Sequence, residues 1–327
     1  MRLLEALDVN APFSPPPGRE SYTNLAGTLA ELRAVRARSH QARYGNKPPP
    51  RLPSRKTVIE IVDGLVAALF PRHFGPPGLA HDDLDAFVED KLVEVLRLLE
   101  GQIRLELELT ASRTEARPGE PGGDRDARAF EMTSAFAAGL GATRTMLEVD
   151  IRAAYEGDPA ATSIDEVMSC YPGVMAIIRH RFAHALHRLG APILARNISE
   201  FSHSNSGIDI HPGAEIGEGV FIDHGTGLVI GGTAIVGRRV RLYQAVTLGA
   251  RRFRVDEHGA LEKNYPRHPI VEDDVVIYAG ATILGRITIG KGSVIAGNVW
   301  LTHSVPPGSV ITQARARNEA FQDGGGI

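Results

Sequence analysis

From residue 208 almost to its end, the chain places an aliphatic residue at every sixth position. The count runs Ile210, Ile216, Ile222, Leu228, Ala234, Val240, Val246, and resumes one residue out of phase at Val271, Ile277, Ile283, Ile289, Ile295, Leu301. A period of six matches neither helical spacing nor simple strand alternation. It is the repeat of a parallel β-helix, in which short strands wall a three-sided coil and an aliphatic residue from each points inward.

The chain before the coil reads differently. Prolines at 11–18 and 48–53 exclude helix there, because proline lacks the amide donor and restricts its predecessor. Residues 1–55 are expected to form a proline-rich arm with one helix near Tyr22–Ala37. Val58, Ile61, Val62, Leu65, Ala68 and Leu69 lie at helical spacing and stop at Pro71. Asp82 and Asp83 open a second helix with Phe87, Leu92, Val95, Leu96 and Leu99 on one face. The polar Pro/Gly stretch 115–127 reads as a mobile connection, followed by helices at about 128–156, 164–170 and 173–189. The expected organisation is α+β: an arm (1–55), an α-helical domain (56–205), a β-helix (206–312) and a flexible tail (313–327).

Composition narrows the function classes. Lys and Arg total 36 against 39 Asp and Glu, so no basic field calls for nucleic acid or an anionic membrane. No apolar run is long enough to span a bilayer, and the start lacks the pattern of a secretory signal. A cytoplasmic location is expected. Cys170 is the only cysteine, which excludes an internal disulfide and a Cys-cluster zinc site. It reads as a small buried apolar residue.

The phase slip between Val246 and Val271 marks an interruption of the coil. Arg251–Pro266 is charged and lacks the aliphatic period, so it reads as a loop thrown outward, the usual place for function on a rigid scaffold. Polar clusters border it. Asp209 and His224 stand a little less than one coil of three hexads apart, a spacing that puts them on neighbouring coils near one edge. His is the common general base at neutral pH, and a carboxylate on its second nitrogen fixes the tautomer. Arg267-His268 sits where the loop rejoins the coil.

In order, Asp-Ile-His-Pro (209–212), Asp-His-Gly-Thr-Gly (223–227), Gln-Ala-Val-Thr-Leu-Gly (244–249) and Arg-His-Pro (267–269) resemble the serine O-acetyltransferases of the hexapeptide-repeat acyltransferase superfamily. Upstream, the segment 150–160, Tyr171-Pro-Gly and Arg181-Phe-Ala-His184 resemble the helical segments that precede the coil in that family. The resemblance covers about residues 148–310. It implies a left-handed β-helix and acetyl transfer from acetyl-CoA to L-serine. His224 would be the base and Asp209 its orienting partner. Asp158, Asp223, Arg267 and His268 would surround the amino acid, with His268 also bonding the hydroxyl or assisting proton transfer. Gly249, Ala250, Ala279 and Gly280 would be the small positions along the CoA path. No Ser or Cys stands beside His224 in sequence as a nucleophile, so transfer without an acyl-enzyme is expected.

The resemblance further implies a homotrimer or a dimer of trimers, L-cysteine as an inhibitor at the serine site, and no metal. The glycine-rich end closing on Ile327 resembles the tail by which the family engages O-acetylserine sulfhydrylase, and a free carboxylate with one apolar side chain suits pocket capture. Two departures stand out. After Gly249 the chain reads Ala-Arg-Arg-Phe-Arg and the loop is longer, so its arginines either meet CoA phosphates or lie solvated. The family's usual segment after Gly308 is missing, and residues 1–145 carry none of its motifs. Three alternatives remain. One is a homoserine or sugar acceptor. Another is a zinc hydratase using His211, His224 and His268, disfavoured because Val229 replaces the histidine expected five residues after His224. The third is a non-catalytic partner of the sulfhydrylase.

Overall fold

The computed structural model describes residues 24–113, 124–257, 259–263 and 265–313. The proline-rich segment at 11–18, most of the polar connection at 115–127 and the tail with Ile327 lie outside the described residues. Residues up to Pro50 belong to a unit of their own. Its helix α1 (Leu25–Tyr44) runs further than expected and buries none of its residues.

The second unit starts at Arg51. Helix α2 (Arg55–Leu69) begins where the Ser54 side chain accepts the Thr57 N–H, and it buries Val58, Ile61, Val62 and Leu65. One turn, α3 (Pro71–Phe74), follows it. A 3₁₀ turn at His81–Asp83 leads into α4 (Leu84–Arg113). Helix α5 (Arg125–Gly157) starts ahead of the expected residue 128 because the Asp124 carboxylate caps the N–H groups of Asp126 and Ala127. Helices α6 (Ile164–Cys170) and α7 (Pro172–Leu189) fall where the sequence places them. Cys170 ends α6 exposed, not buried, because the helix turns Val167 and Met168 to the core instead. No described helix is long and apolar enough to cross a membrane.

Helix α8 (Pro192–Ser206) is one the sequence pattern hides. Its surface is crowded with polar residues, and only Leu194, Ala195 and Ile198 form its buried apolar stripe. Its start is capped from a distance: the buried Glu106 carboxylate on α4 accepts the N–H groups of Ile193 and Leu194 at 2.8 and 2.9 Å. Gly207, left-handed at φ 69°, ends the helix and turns the chain into the coil.

Short strands on three faces make a left-handed parallel β-helix. The first face holds β1 (Asp209–Ile210), β4 (Val229–Ile230), β7 (Thr247–Gly249), β10 (Thr282–Leu284) and β13 (Trp300–Leu301). The second holds β2 (Glu215–Ile216), β5 (Ile235–Val236), β8 (Ile270–Val271) and β11 (Thr288–Ile289). The third holds β3 (Phe221–Ile222), β6 (Arg241–Leu242), β9 (Val276–Ile277), β12 (Val294–Ile295) and β14 (Val310–Ile311). We call the turn that leads into the first face the entry corner and the turn that leaves it the exit corner.

Every residue of the count in sixes is buried, but they do not form one series. Ile210, Ile216 and Ile222 lie on strands, whereas Leu228, Ala234, Val240 and Val246 are corner residues two positions before the strand residues Ile230, Val236, Leu242 and Leu248. Both positions face inward, so counting in sixes crossed from one row to the other unnoticed. The register exposes two insertions. Val229 pairs with Thr247, and Thr282 with Trp300, across one regular coil of three hexads. Asp209 pairs with Val229 across a slightly longer stretch, and Thr247 with Thr282 across a much longer one. The coil therefore takes a short insertion at the entry corner after β3 and a long one at the exit corner after β7. The long insertion is the expected loop, folded on itself through a bridge between Val255 and Leu261. The short one carries Asp223 and His224.

One buried ion pair ties the helices to the coil. Arg181 of α7 meets Asp150 of α5 at 3.0 Å, and both side chains are under one-tenth exposed. Neither partner stops there. Asp150 also accepts the N–H groups of Gly219 and Val220, and Arg181 donates to the carbonyls of Ile216 and Gly217, all on the first coil. Asp150→Ala would leave a buried guanidinium without its counter-charge and two amide groups without their acceptor, so it should cost about 3–5 kcal/mol. A drop in the thermal unfolding midpoint against the wild type checks this.

Candidate active site

The short insertion forces a tight turn at the entry corner. The Gly225 N–H donates to the Asp223 carbonyl at 2.6 Å, and His224 between them sits at φ 57°, a left-handed backbone that a non-glycine residue rarely adopts. The turn projects the imidazole outward: its side chain is 71% exposed, and Nε2 stands 3.7 Å from an Asp223 carboxylate oxygen.

Asp158 reaches this corner from the end of α5. One of its carboxylate oxygens accepts the Ala160 N–H at 2.8 Å and the other accepts the Tyr171 hydroxyl at 2.5 Å. The Tyr171 bond above all, then the Ala160 amide and the nearby His224 and Arg241, hold the Asp158 carboxyl below the usual carboxylate range. The same bond pushes the Tyr171 phenol up to about 12. Arg241 donates to the Gly157 carbonyl and lies 5.2 Å over the Phe221 ring, fastening the end of α5 to the coil. Further along the corner stand Ala279 and Gly280. Gly280 sits at φ 72°, a backbone that strains any side chain, and a Cβ there would also push the Asn298 side-chain oxygen aside, so glycine is favoured.

The exit corner collects the remaining predicted residues. Asp209 lies on β1, and its charge acts on His211, the next corner residue but one. Gly249 and Ala250 begin the long loop, and Arg267 and His268 end it. His268 is 7% exposed and packs on Gly231, where a Cβ would meet its ring at 2.0 Å. Burial first, then Arg267, His211 and Arg286, lower its pKa to about 4. Arg267 holds its guanidinium 5.5 Å over the Tyr265 ring, and its Nε is buried without a hydrogen-bond partner among the described residues. Beside it opens a pocket of about 360 Å³ lined by Arg251, Arg252, Arg254, Arg267 and Arg286.

One chain thus presents two groups on different corners. Asp158, Asp223, His224, Ala279 and Gly280 share the entry corner. Gly249, Ala250, Arg267 and His268 share the exit corner, with Asp209 on the strand that leads to it. No hydrogen bond or ion pair joins Asp209 to His224 among the described residues. His211 and His268 likewise stand on the corner away from His224, so the three histidines do not converge on one point, and no set of three potential metal ligands clusters among the described residues. Tyr171, Thr233 and Arg286 contribute contacts that the sequence reading did not find. Only the Gly231-Gly232 pair before Thr233 hinted that backbone there must admit a close neighbour.

Comparison with known proteins identifies the family. Residues 268–303 match the family model described as bacterial transferase hexapeptide (six repeats). The plasmid serine acetyltransferase of Synechococcus elongatus is 56% identical over 279 residues, covering 84% of this chain and 86% of that protein. The chain belongs to the serine acetyltransferase family. The crystal structure of serine acetyltransferase isoform 3 from Entamoeba histolytica, in complex with cysteine, aligns with TM-score 0.67 at 28% identity, over 91% of this chain and 96% of that one. The Neisseria gonorrhoeae serine acetyltransferase in complex with serine aligns with TM-score 0.50 at 27% identity, over 80% and 97% of the respective chains.

Tyr171→Phe removes the strongest donor to Asp158, so its carboxyl pKa should rise toward the ordinary carboxylate range. A depressed pKa keeps the carboxylate charged to lower pH. The acid limb of kcat/KM for the acceptor should therefore move to higher pH in the variant, as a pH–rate profile would show; an unmoved limb would separate Tyr171 from the site.

Proposed function

We propose that this chain catalyses acetyl transfer from acetyl-CoA to the hydroxyl of L-serine, giving O-acetylserine for cysteine synthesis in the cytoplasm. The observation that carries the reading is the entry corner: an exposed imidazole on a strained turn, flanked by two carboxylates. An amino-acid acceptor needs charged partners at both ends. Asp158 and Asp223 suit its ammonium group, and the Arg267 guanidinium suits its carboxylate. A sugar needs neither. A homoserine acceptor differs by one methylene, worth about 1–3 kcal/mol of discrimination.

In this reading His224 accepts the serine hydroxyl proton while the oxygen attacks the thioester carbon. The C–S bond then breaks and the imidazolium returns the proton to the departing sulfur. The two corners complete one another between copies of the chain: the entry corner of one faces the exit corner of the next around a closed ring of three. Asp209 then steadies the neighbouring copy's His224, and Arg267 and His268 reach the serine held by Asp158 and Asp223. The bare positions fit the same cleft, with Ala279 and Gly280 on one wall and Gly249 and Ala250 on the other, where the pantetheine arm can approach backbone. L-cysteine, a near isostere of serine, would compete for the same charges. The Ile327 terminus would serve capture by O-acetylserine sulfhydrylase.

The test is CoA thiol release by the purified protein with acetyl-CoA and L-serine, L-homoserine or no acceptor. Serine-dependent release is expected, and His224→Ala should lower kcat by about 10²–10⁴-fold, the usual worth of a general base. Release that ignores serine, or survives intact in His224→Ala, would overturn the reading.

A further inference from the structure

Thr233 sits against His268 in an arrangement that leaves no freedom in where the protons lie. The Thr233 hydroxyl oxygen accepts the backbone N–H groups of Arg267 at 2.9 Å and of His268 at 3.2 Å. A hydroxyl oxygen has two lone pairs and one proton. Both lone pairs are engaged, so the proton points at the remaining neighbour, the His268 Nδ1, 2.8 Å away. The Thr233 backbone N–H donates to the same Nδ1 at 3.1 Å. Nδ1 receives two donors and must offer its lone pair, so the single proton of the neutral ring resides on Nε2. A second proton on Nδ1 would face both donors head-on.

The surroundings hold this state. Arg286 donates to the carbonyls of both Thr233 and His268, clamping the two residues together. Gly231 leaves room for the ring edge that carries Nε2, where a Cβ would come within 2.2 Å. The charged and titratable groups that act on His268 are Arg267, Arg286 and His211, and each opposes protonation. Nε2 itself has no partner among the described residues and is not one of the enclosed polar atoms.

We propose that Thr233 is a positioning residue that fixes His268 as a neutral Nε2–H donor to the thioester carbonyl oxygen, leaving His224 alone to carry the acceptor's proton. The inference rests on the serine acetyltransferase reading. As the serine oxygen bonds to the carbonyl carbon, the electron pair of the C=O bond moves to oxygen, which the His268 N–H meets. The pair returns as the C–S bond breaks, and no proton leaves His268. A neutral donor suits this task, since it need not be recharged between turnovers and strengthens its bond as charge develops.

Variants of the full-length enzyme separate a donor from a base. Glutamine presents an amide N–H near the place of Nε2 and does not titrate. His268→Gln should keep kcat within about tenfold of wild type, whereas His268→Ala and His268→Asn should lose about 100-fold, the usual loss for one such donor. Thr233→Val should lower kcat by about 10-fold or more with the serine KM nearly unchanged, the signature of a contact made in the transition state. Thr233→Ser, which keeps the hydroxyl, should restore it. ¹⁵N spectra of histidine-labelled protein, with His268 identified by its loss in His268→Gln, should show the proton on Nε2 in the wild type and a tautomer mixture in Thr233→Val. A His268→Gln enzyme as inactive as His268→Ala would overturn the proposal, and so would a wild-type proton on Nδ1. A wild type lacking serine-dependent CoA release would instead overturn the parent reading, while the spectra would still decide whether Thr233 sets the tautomer.

Discussion

Each inner coil of the β-helix satisfies its backbone by bonding to the coil before and the coil after it. The Asp209 N–H donates to Leu228, Val229 to Val246 and Thr247 to Ala281, one rung after another. That ladder tolerates no gap in the inward aliphatic rows and no extra residue on a face, because either would leave buried amide groups unpaired. Extra residues can leave only at corners. The chain does so twice, briefly at the entry corner and at length at the exit corner, and the polar residues suited to chemistry stand at those two places.

The helices serve the same geometry from outside. Asp150 and Arg181 bond to one another and to four backbone groups of the first coil, so α5 and α7 are fixed against it. Two turns beyond Asp150, α5 ends at Gly157, and the next residue is Asp158. A carboxylate close enough to feel the His224 charge is thereby delivered by a rigid element anchored in the core; Tyr171 holds the carboxylate and Arg241 the end of the helix. The two corners then differ in electrostatic character. The entry corner is anionic around an exposed imidazole. The exit corner is cationic around an imidazole kept neutral. In the proposed reaction a zwitterionic acceptor would find a complementary wall where the two corners meet, and a single chain keeps them apart.

The coil and the loop were legible because burial imposes a strict period and its interruption is conspicuous. The residues of the two corners were legible through their motifs. The earlier insertion was not, since inward residues occur in pairs two apart and Leu228 filled the place a count in sixes expects. Helix α8 was hidden by a polar surface and a cap supplied by Glu106, far back in the chain on α4. Nothing near Thr233 in the sequence announces that its oxygen will serve three groups across the loop, because that contact exists only once the long insertion has left the coil and returned. Asp209 and His224 show the converse: spacing placed them near one edge of neighbouring coils, and the fold puts Asp209 on β1 opposite Val229, with no hydrogen bond or ion pair to His224 among the described residues.

The claim on which the rest turns is that the site is shared between copies of the chain. Combining His224→Ala chains with His268→Ala chains, by co-expression or by mixing after dissociation, tests it directly. Each parent oligomer lacks one wall of every site. In a closed ring of three, each mixed oligomer would regain one intact site, so random assembly should restore about a quarter of wild-type serine-dependent CoA release. Activity that stays at the level of the two parents, in oligomers shown to contain both chains, would contradict a shared site.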